Sequence, residues 1–298
     1  MATTSVTAYK TSFIKDFTEL TKVKLSVYVL FSSIAGYLLA VDTVDFIDLL
    51  ILCIGGYAMV GASNAFNQVI EKDLDSLMHR TKNRPVASGR MSVNTALTIA
   101  TILTILGITL LYILNPKSAM FGAISIFSYV SLYTPLKTKT PLAVFVGAIP
   151  GAIPFMLGWV AATGNFGIEA GTLFMIQFFW QFPHFWAIGW FLYDDYKRGG
   201  FRMLPTGKKD KITVTQILLY SIWTIVCSIL PVFGKTGDLH ISIYTAVIVL
   251  LLGLWMLQKG IVLYKTRTSE DAKKLMLVSV SYISLLQIAY VIDKFIFN

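Results

Sequence analysis

FIDLLILCIGGYAMVGASNAFNQVIEKDLDSLMHRTKNRP, residues 46–85, begins apolar and ends charged. From Phe46 to Ile70 its only charge is Asp48. Then come Glu71, Asp73 and Asp75, followed by Arg80, Lys82 and Arg84. A helix needs about 20 apolar residues to cross a bilayer. The first part of this stretch meets that length, and its charges start where such a helix would leave the membrane.

The same pattern recurs along the chain. The protein is 55% hydrophobic and 14% charged, with a mean hydropathy of +0.68. That is more apolar surface than a soluble domain can bury. Apolar runs lie near 23–41, 46–70, 93–113, 118–134, 141–162, 168–193, 213–233, 240–264 and 273–296. Nine such runs predict an all-α polytopic membrane protein, one domain over residues 1–298. The runs are continuous rather than alternating, which argues against a transmembrane β-barrel. Residues 1–22 are polar, and they show neither the apolar core nor the small-residue site of a cleaved signal peptide. The leader also lacks Arg, so the expected membrane is the bacterial cytoplasmic (inner) one. Cys53 and Cys227 both fall in predicted spans and read as free buried thiols.

A net charge of +9 invites a nucleic-acid reading, but the placement of the charges excludes it. Of the 25 Lys and Arg, 22 lie before the first span or in alternate connections; the rest are Lys117, Lys235 and Lys294. Positive residues stay on the cytoplasmic side. The N-terminal segment is therefore expected in the cytoplasm and, after nine crossings, the C-terminus outside.

On a helix, positions i, i+4 and i+8 share a face. Asn67, Glu71 and Asp75 therefore form one stripe, and Asp73 points elsewhere. Oxygen donors crowded this way repel one another unless a cation sits among them. Hard oxygen ligands suit Mg²⁺, which completes its shell with water and substrate phosphate. The cations just downstream, Arg80, Lys82 and Arg84, then have an anion to meet.

FPHFWAIGWFLYDDYKRGGFRMLP, residues 182–205, repeats the logic: Asp194 and Asp195 close an aromatic helix, and Lys197, Arg198 and Arg202 follow. An even number of spans separates the two acidic ends, so both face the same side. YTPLKTKTP, residues 133–141, brings Lys137 and Lys139 to that side as well. His184 lies inside the span, as a packing residue or as a contact to a large planar substrate. No Walker loop, dinucleotide fingerprint, HExxH, nucleophile elbow or CxxC is present. The chemistry these residues suit is that of metal and diphosphate beside lipid.

Asn67-x3-Glu71-x3-Asp75 followed by Arg80-Thr81-x2-Arg84-Pro85 resembles the first motif of the UbiA superfamily of intramembrane prenyltransferases. Within the superfamily, four further stretches resemble the group that farnesylates heme. These are Tyr133-Thr134 through Lys137-x-Lys139-Thr140-Pro141; Gly147-Ala148 through Pro154 with Gly158-Trp159; Pro183-His184-Phe185-Trp186; and Asp194-Asp195-Tyr196 through Met203-Leu204-Pro205. The resemblance covers roughly residues 20–210.

It implies a nine-helix bundle around a central cavity, and transfer of farnesyl from farnesyl diphosphate to a vinyl group of heme b, with water added, giving heme O and diphosphate. It also implies Mg²⁺ held by Asn67, Glu71, Asp75 and Asp194, with Asp195 beside them, and diphosphate met by Arg80, Arg84, Lys137, Lys139 and Lys197. His184 would contact heme. Membrane lipid, and heme A synthase or terminal oxidase assembly, are the implied partners. Two positions depart from the superfamily pattern. Glu71 stands where Asp is usual, and Trp190 and Gly199 occupy the places four residues from the second acidic pair. Three other readings compete: a related prenyltransferase acting on a quinone precursor, a transporter, and a heme-binding assembly factor without catalysis. A transporter would place its ionisable groups near the midplane, whereas these lie at helix ends.

Overall fold

The computed structural model describes residues 12–297. Among these every regular element is a helix: α1 Phe13–Leu20, α2 Val23–Ala40, α3 Phe46–Ile70, α4 Lys72–Leu77, α5 Val93–Leu114, α6 Pro116–Phe127, α7 Thr134–Leu136, α8 Ala143–Thr163, α9 Ile168–Phe191, α10 Tyr193–Arg198, α11 Lys211–Ile229, α12 Ile243–Thr266 and α13 Ser269–Phe297. A π-helical turn, Ser128–Tyr133, joins α6 to α7, so the three form one rod, and a 3₁₀ turn, Leu230–Phe233, extends α11.

Nine long rods stand among the described residues, one for each apolar run. Eight are long and apolar enough to cross a membrane. The exception is α9, whose Gln177, Gln181, Pro183 and His184 dilute its apolar character. The sequence reading left the leader without structure. Its residues 1–11 lie outside the described residues, and the rest forms α1, anchored by salt bridges from Arg90 to Asp16 and Glu19.

The helix starts follow local chemistry. Asp45 caps α3 by accepting from the amides of Ile47 and Asp48, and Ser92, Asp210 and Ser242 do the same for α5, α11 and α12. Asn115 caps α6, with Pro116 at the first helical position. Its side-chain amide donates to the carbonyls of Val160 and Ala161, closing the far end of α8. There Gly164, at φ 67°, stops the helix.

Without water as a competitor, packing in a bilayer rests on close backbone approach and polar cross-links. Helix α2 crosses α8 at Gly36 and Gly158. A Cβ on Gly36 would lie 2.0 Å from the Phe155 carbonyl oxygen, and one on Gly158 2.0 Å from that of Ser33. Deeper in, Gln287 on α13 bridges Ser32 on α2 and Gln177 on α9. Cys53 is half-buried and Cys227 buried, and both are free.

The basic connections meet at one end. The Arg202 amide donates to the Lys137 carbonyl at 2.7 Å, and Asp195 reaches the loop after α4. At the other end Lys294 pairs with Asp42 at 3.1 Å, and Lys117 bonds Asn165. The protein is a multi-pass membrane protein whose acidic and basic helix ends converge on one face.

Candidate active site

A cavity of about 650 Å³ runs from that face into the bundle. Its mouth carries the first acidic stripe. Helix α3 ends at Ile70, and Glu71 stands at the break before α4. The i to i−4 bonding survives the break, from Glu71 N to Asn67 O at 2.9 Å and from Asp75 N to Glu71 O at 2.7 Å. Asn67, Glu71 and Asp75 therefore keep one face; all three are buried and line the cavity. Asp73 is exposed.

Each member of the stripe is already engaged. Asn67 Nδ2 donates to Thr134 Oγ1 at 3.3 Å, and its Oδ1 accepts no hydrogen bond among the described residues. Lys137 Nζ donates to Glu71 Oε1 at 2.7 Å. Arg84 Nη1 donates to both oxygens of Asp75, at 2.8 and 2.7 Å. Burial pushes the Asp75 carboxyl above the usual carboxylate range, against the pull of Arg84. Burial likewise lowers Lys137, against the pull of Glu71. The Lys137 ammonium lies 4.5 Å from the centre of the Tyr133 ring, a second source of stabilisation for a desolvated cation. Arg80 sits over Tyr196 at 5.8 Å.

Lys22 also lines the mouth, a residue that sequence reasoning assigned only to topology. It occupies the left-handed region at φ 49°, between α1 and α2. That turn brings the side chain in among Arg80, Arg84 and Lys137. Burial first, then Arg84 and Lys137, hold its pKa well below the ordinary lysine value. A lysine discouraged by its neighbours from carrying charge regains it when an anion arrives.

The second acidic segment is arranged otherwise. Asp195 does not line the cavity. Its Oδ1 accepts from the His79 amide at 2.8 Å and from Arg198 at 2.7 Å, and its Oδ2 accepts from the Arg80 amide at 3.3 Å. Burial raises its pKa, but the bonds from Arg198, His79 and Arg80 outweigh it, and the carboxyl lies below its usual range. Asp195 thus fixes the backbone that carries Arg80. Asp194 faces solvent, 4.0 Å from Lys209, and stands outside the cavity. Lys139 is exposed; its amide donates to the Leu136 carbonyl at 2.9 Å and its carbonyl accepts from Arg202 at 3.4 Å. Lys197 is exposed as well and borders a smaller neighbouring hollow. Of the expected set, the structure brings together Asn67, Glu71, Asp75, Arg80, Arg84 and Lys137. It leaves Asp194, Asp195, Lys139 and Lys197 outside the cavity.

The inner end of the cavity changes character. Pro150 and Pro154 of α8, Trp180 and His184 of α9 and Ile283 of α13 line it, with Gln181 among them. Gln181 donates to the Ala148 carbonyl at 2.9 Å and lies over Gly151, where a Cβ would be 1.9 Å from its Oε1. A charged mouth opening into an apolar, aromatic interior suits an amphiphile with an anionic head.

The donors fit a hard cation. Asn67 offers an amide oxygen, and Glu71 and Asp75 offer carboxylates, all lining one cavity. Among the described residues no group of three or more His, Cys, Asp and Glu converges as a ready metal cage.

Known proteins give the same picture. The model of the UbiA prenyltransferase family matches residues 29–285. A protoheme IX farnesyltransferase from Christiangramia forsetii is 65% identical over 296 residues, covering 99% of each chain. One from Flavobacterium johnsoniae is 68% identical over 288 residues, 96% of each. Among solved structures, a digeranylgeranylglyceryl phosphate synthase has a TM-score of 0.78 at 20% identity, covering 94% of this chain and 98% of its own. A UbiA homolog from Archaeoglobus fulgidus bound to DMAPP and Mg²⁺ has a TM-score of 0.70 at 13% identity, covering 93% and 99%. These two structures establish a shared fold, and the family match and close relatives extend the kinship to sequence. The chain belongs to the UbiA prenyltransferase family.

Proposed function

We propose that this protein transfers farnesyl from farnesyl diphosphate to a vinyl group of heme b, with addition of water, giving heme O and diphosphate. The observation that carries this is the two-part cavity: three oxygen donors and four basic side chains at the mouth, and an apolar aromatic chamber behind. The relatives named protoheme IX farnesyltransferase, alike over nearly the whole chain, favour heme as acceptor.

The expensive step is breaking the bond between farnesyl C1 and the diphosphate oxygen, because both electrons leave with the oxygen. Lys22, Arg80, Arg84 and Lys137 face the charge that develops there. Preorganised donors aimed at such charge are the largest single source of rate enhancement in many enzymes. Asn67, Glu71 and Asp75 would hold Mg²⁺, which supplies further neutralisation of the diphosphate when bound. The aromatic chamber keeps water from the allylic cation. The vinyl π electrons then form the new C–C bond, and the cation moves to the carbon next to the porphyrin ring. Water closes that carbon as a hydroxyl and releases its proton. One water is consumed, and oxidation states balance without a redox partner.

The positive-inside distribution supports a cytoplasmic mouth, with the N-terminus inside, the C-terminus outside and a bacterial cytoplasmic membrane as host. Residues 1–298 would act as a single catalytic domain.

Purified protein in detergent, given farnesyl diphosphate, heme b and Mg²⁺, should yield a heme heavier by one farnesyl group plus water, and EDTA should abolish it. Prenylation of an added aromatic acceptor with no heme product would overturn the heme assignment and leave the prenyltransferase reading standing.

A further inference from the structure

His184 has a hydrogen-bonding arrangement that a packing histidine does not need. Its Nδ1 lies 2.9 Å from Ser279 Oγ. That hydroxyl has one hydrogen, and the Met276 carbonyl, which can only accept, lies 2.7 Å away and takes it. Toward His184, Ser279 Oγ therefore accepts, and Nδ1 carries the proton. No carboxylate pairs with the ring among the described residues, so a buried imidazolium would be uncompensated and the ring is neutral. Nε2 then carries the ring's lone pair, and the one side-chain hydrogen bond of the ring among the described residues is the one at Nδ1. The opposite tautomer would leave an N–H without an acceptor, the rarer and costlier defect.

The ring is also fixed in direction. Trp180, one turn earlier on α9, stacks on it at 4.8 Å between centres and 20° between planes. Trp180 Nε1 donates to the Ser279 carbonyl at 2.6 Å. Trp180 and His184 of α9 thus both dock on Ser279 of α13. The half-buried imidazole lies on the cavity wall beside Pro150, Pro154 and Ile283. A histidine that ligates a metal characteristically donates its other N–H to a fixed acceptor, which sets tautomer and orientation together. His184 shows that arrangement at Nδ1 and is among the residues that line the cavity.

We infer that His184 Nε2 is an axial ligand to the iron of the bound heme acceptor, with Ser279 as its orienting partner. The inference rests on the heme reading above. The lone pair fills an open axial position of the iron, and no proton moves because Nε2 holds none. His184 lies seven residues before the end of α9, on the order of 10 Å along the axis. Iron held there sits away from the charged mouth, and the edge of the macrocycle with its vinyl groups reaches toward it.

The test uses full-length protein in detergent with two ligands of the same shape, heme b and iron-free protoporphyrin IX. Wild type should bind heme b with the absorption spectrum of a histidine-ligated iron. His184→Ala should lose that spectrum and weaken heme b binding, with protoporphyrin binding unchanged, and added imidazole should restore the spectrum. Ser279→Ala should weaken heme b binding by about tenfold and leave protoporphyrin untouched. An unchanged spectrum and heme affinity in His184→Ala would overturn the ligation, as would equal weakening of both porphyrins. If His184→Ala fails to fold, the Ser279→Ala comparison decides by the same two readouts. If wild type farnesylates heme b but its spectrum does not depend on His184, only the ligation is wrong. If wild type binds no heme b, the acceptor assignment fails and the ligation with it.

Discussion

At the scale of single residues, position relative to the cavity decides which charges matter. Lys22 and Lys139 are both basic residues at a helix end, yet only Lys22 lines the mouth. Lys22→Ala should lower turnover on the order of a hundredfold, as expected for losing one preorganised donor, or about 3 kcal/mol. Lys139→Ala should stay close to wild type. Single-turnover rates with saturating Mg²⁺ distinguish the two. The Asn67, Glu71 and Asp75 stripe was legible in the sequence because helical spacing fixes which side chains share a face. The role of Lys22 was not, because a lysine before a first span is what topology alone requires. Nor could spacing tell which of two adjacent aspartates turns inward. That is settled by the amides of His79 and Arg80, more than 100 residues away.

Asp195 also carries a pH signature. Its carboxyl lies below the ordinary range. Its contribution to stability is therefore complete above the unfolded value, about 3.9, and fades as pH falls through the lower folded value. Thermal unfolding in detergent should show no loss from this group between neutrality and about pH 4, then a decline. Asp195→Asn should lower stability at pH 7 by about 1 kcal/mol, kept small because solvent screens the pair. Below the folded value it should match wild type.

At the scale of helices, contact is set by what backbones leave out. Gly158→Ala would press a methyl group against the Ser33 carbonyl and the Tyr37 amide nitrogen, at 2.0 and 2.4 Å. These are backbone atoms and cannot swing aside. The expected cost is about 1–3 kcal/mol, read as a lower unfolding temperature. Gly171, inside α9, has nothing within 4 Å of an added Cβ. Gly171→Ala should gain up to about 1 kcal/mol from helix propensity. The number and order of the long helices followed from apolar run length. The π turn at Ser128–Tyr133 and the break at Glu71 did not, because both are local adjustments: Thr134 bonds the Tyr129 carbonyl across the π turn and accepts from Asn67 of α3, and Glu71 at the break accepts from Lys137. Helix α1 escaped because a short amphipathic helix on a polar leader has no membrane-length signature.

For the whole molecule, the basic connections share one end and the sparse ones the other. In a background with Cys53 and Cys227 replaced by Ser, Lys235→Cys should react with a membrane-impermeant thiol reagent in intact cells. Lys208→Cys should react only after permeabilisation. The reverse pattern would turn the mouth of the cavity outward.

The paired state of the mouth has one more consequence. Glu71 and Asp75 each already hold a cation, Lys137 and Arg84. For Lys137 and Arg84, engaging a metal-bound diphosphate would therefore be an exchange of partners, and these two ion pairs would loosen as new ones form. The electrostatic gain is a difference between large opposing quantities, so the head group by itself should be held weakly. Retention then falls to the hydrocarbon tail in the aromatic chamber. Once that tail has left with the acceptor, inorganic diphosphate keeps only the weak part of the grip, and the mouth closes its own pairs behind it. The same exchange that tempers substrate capture drives product departure.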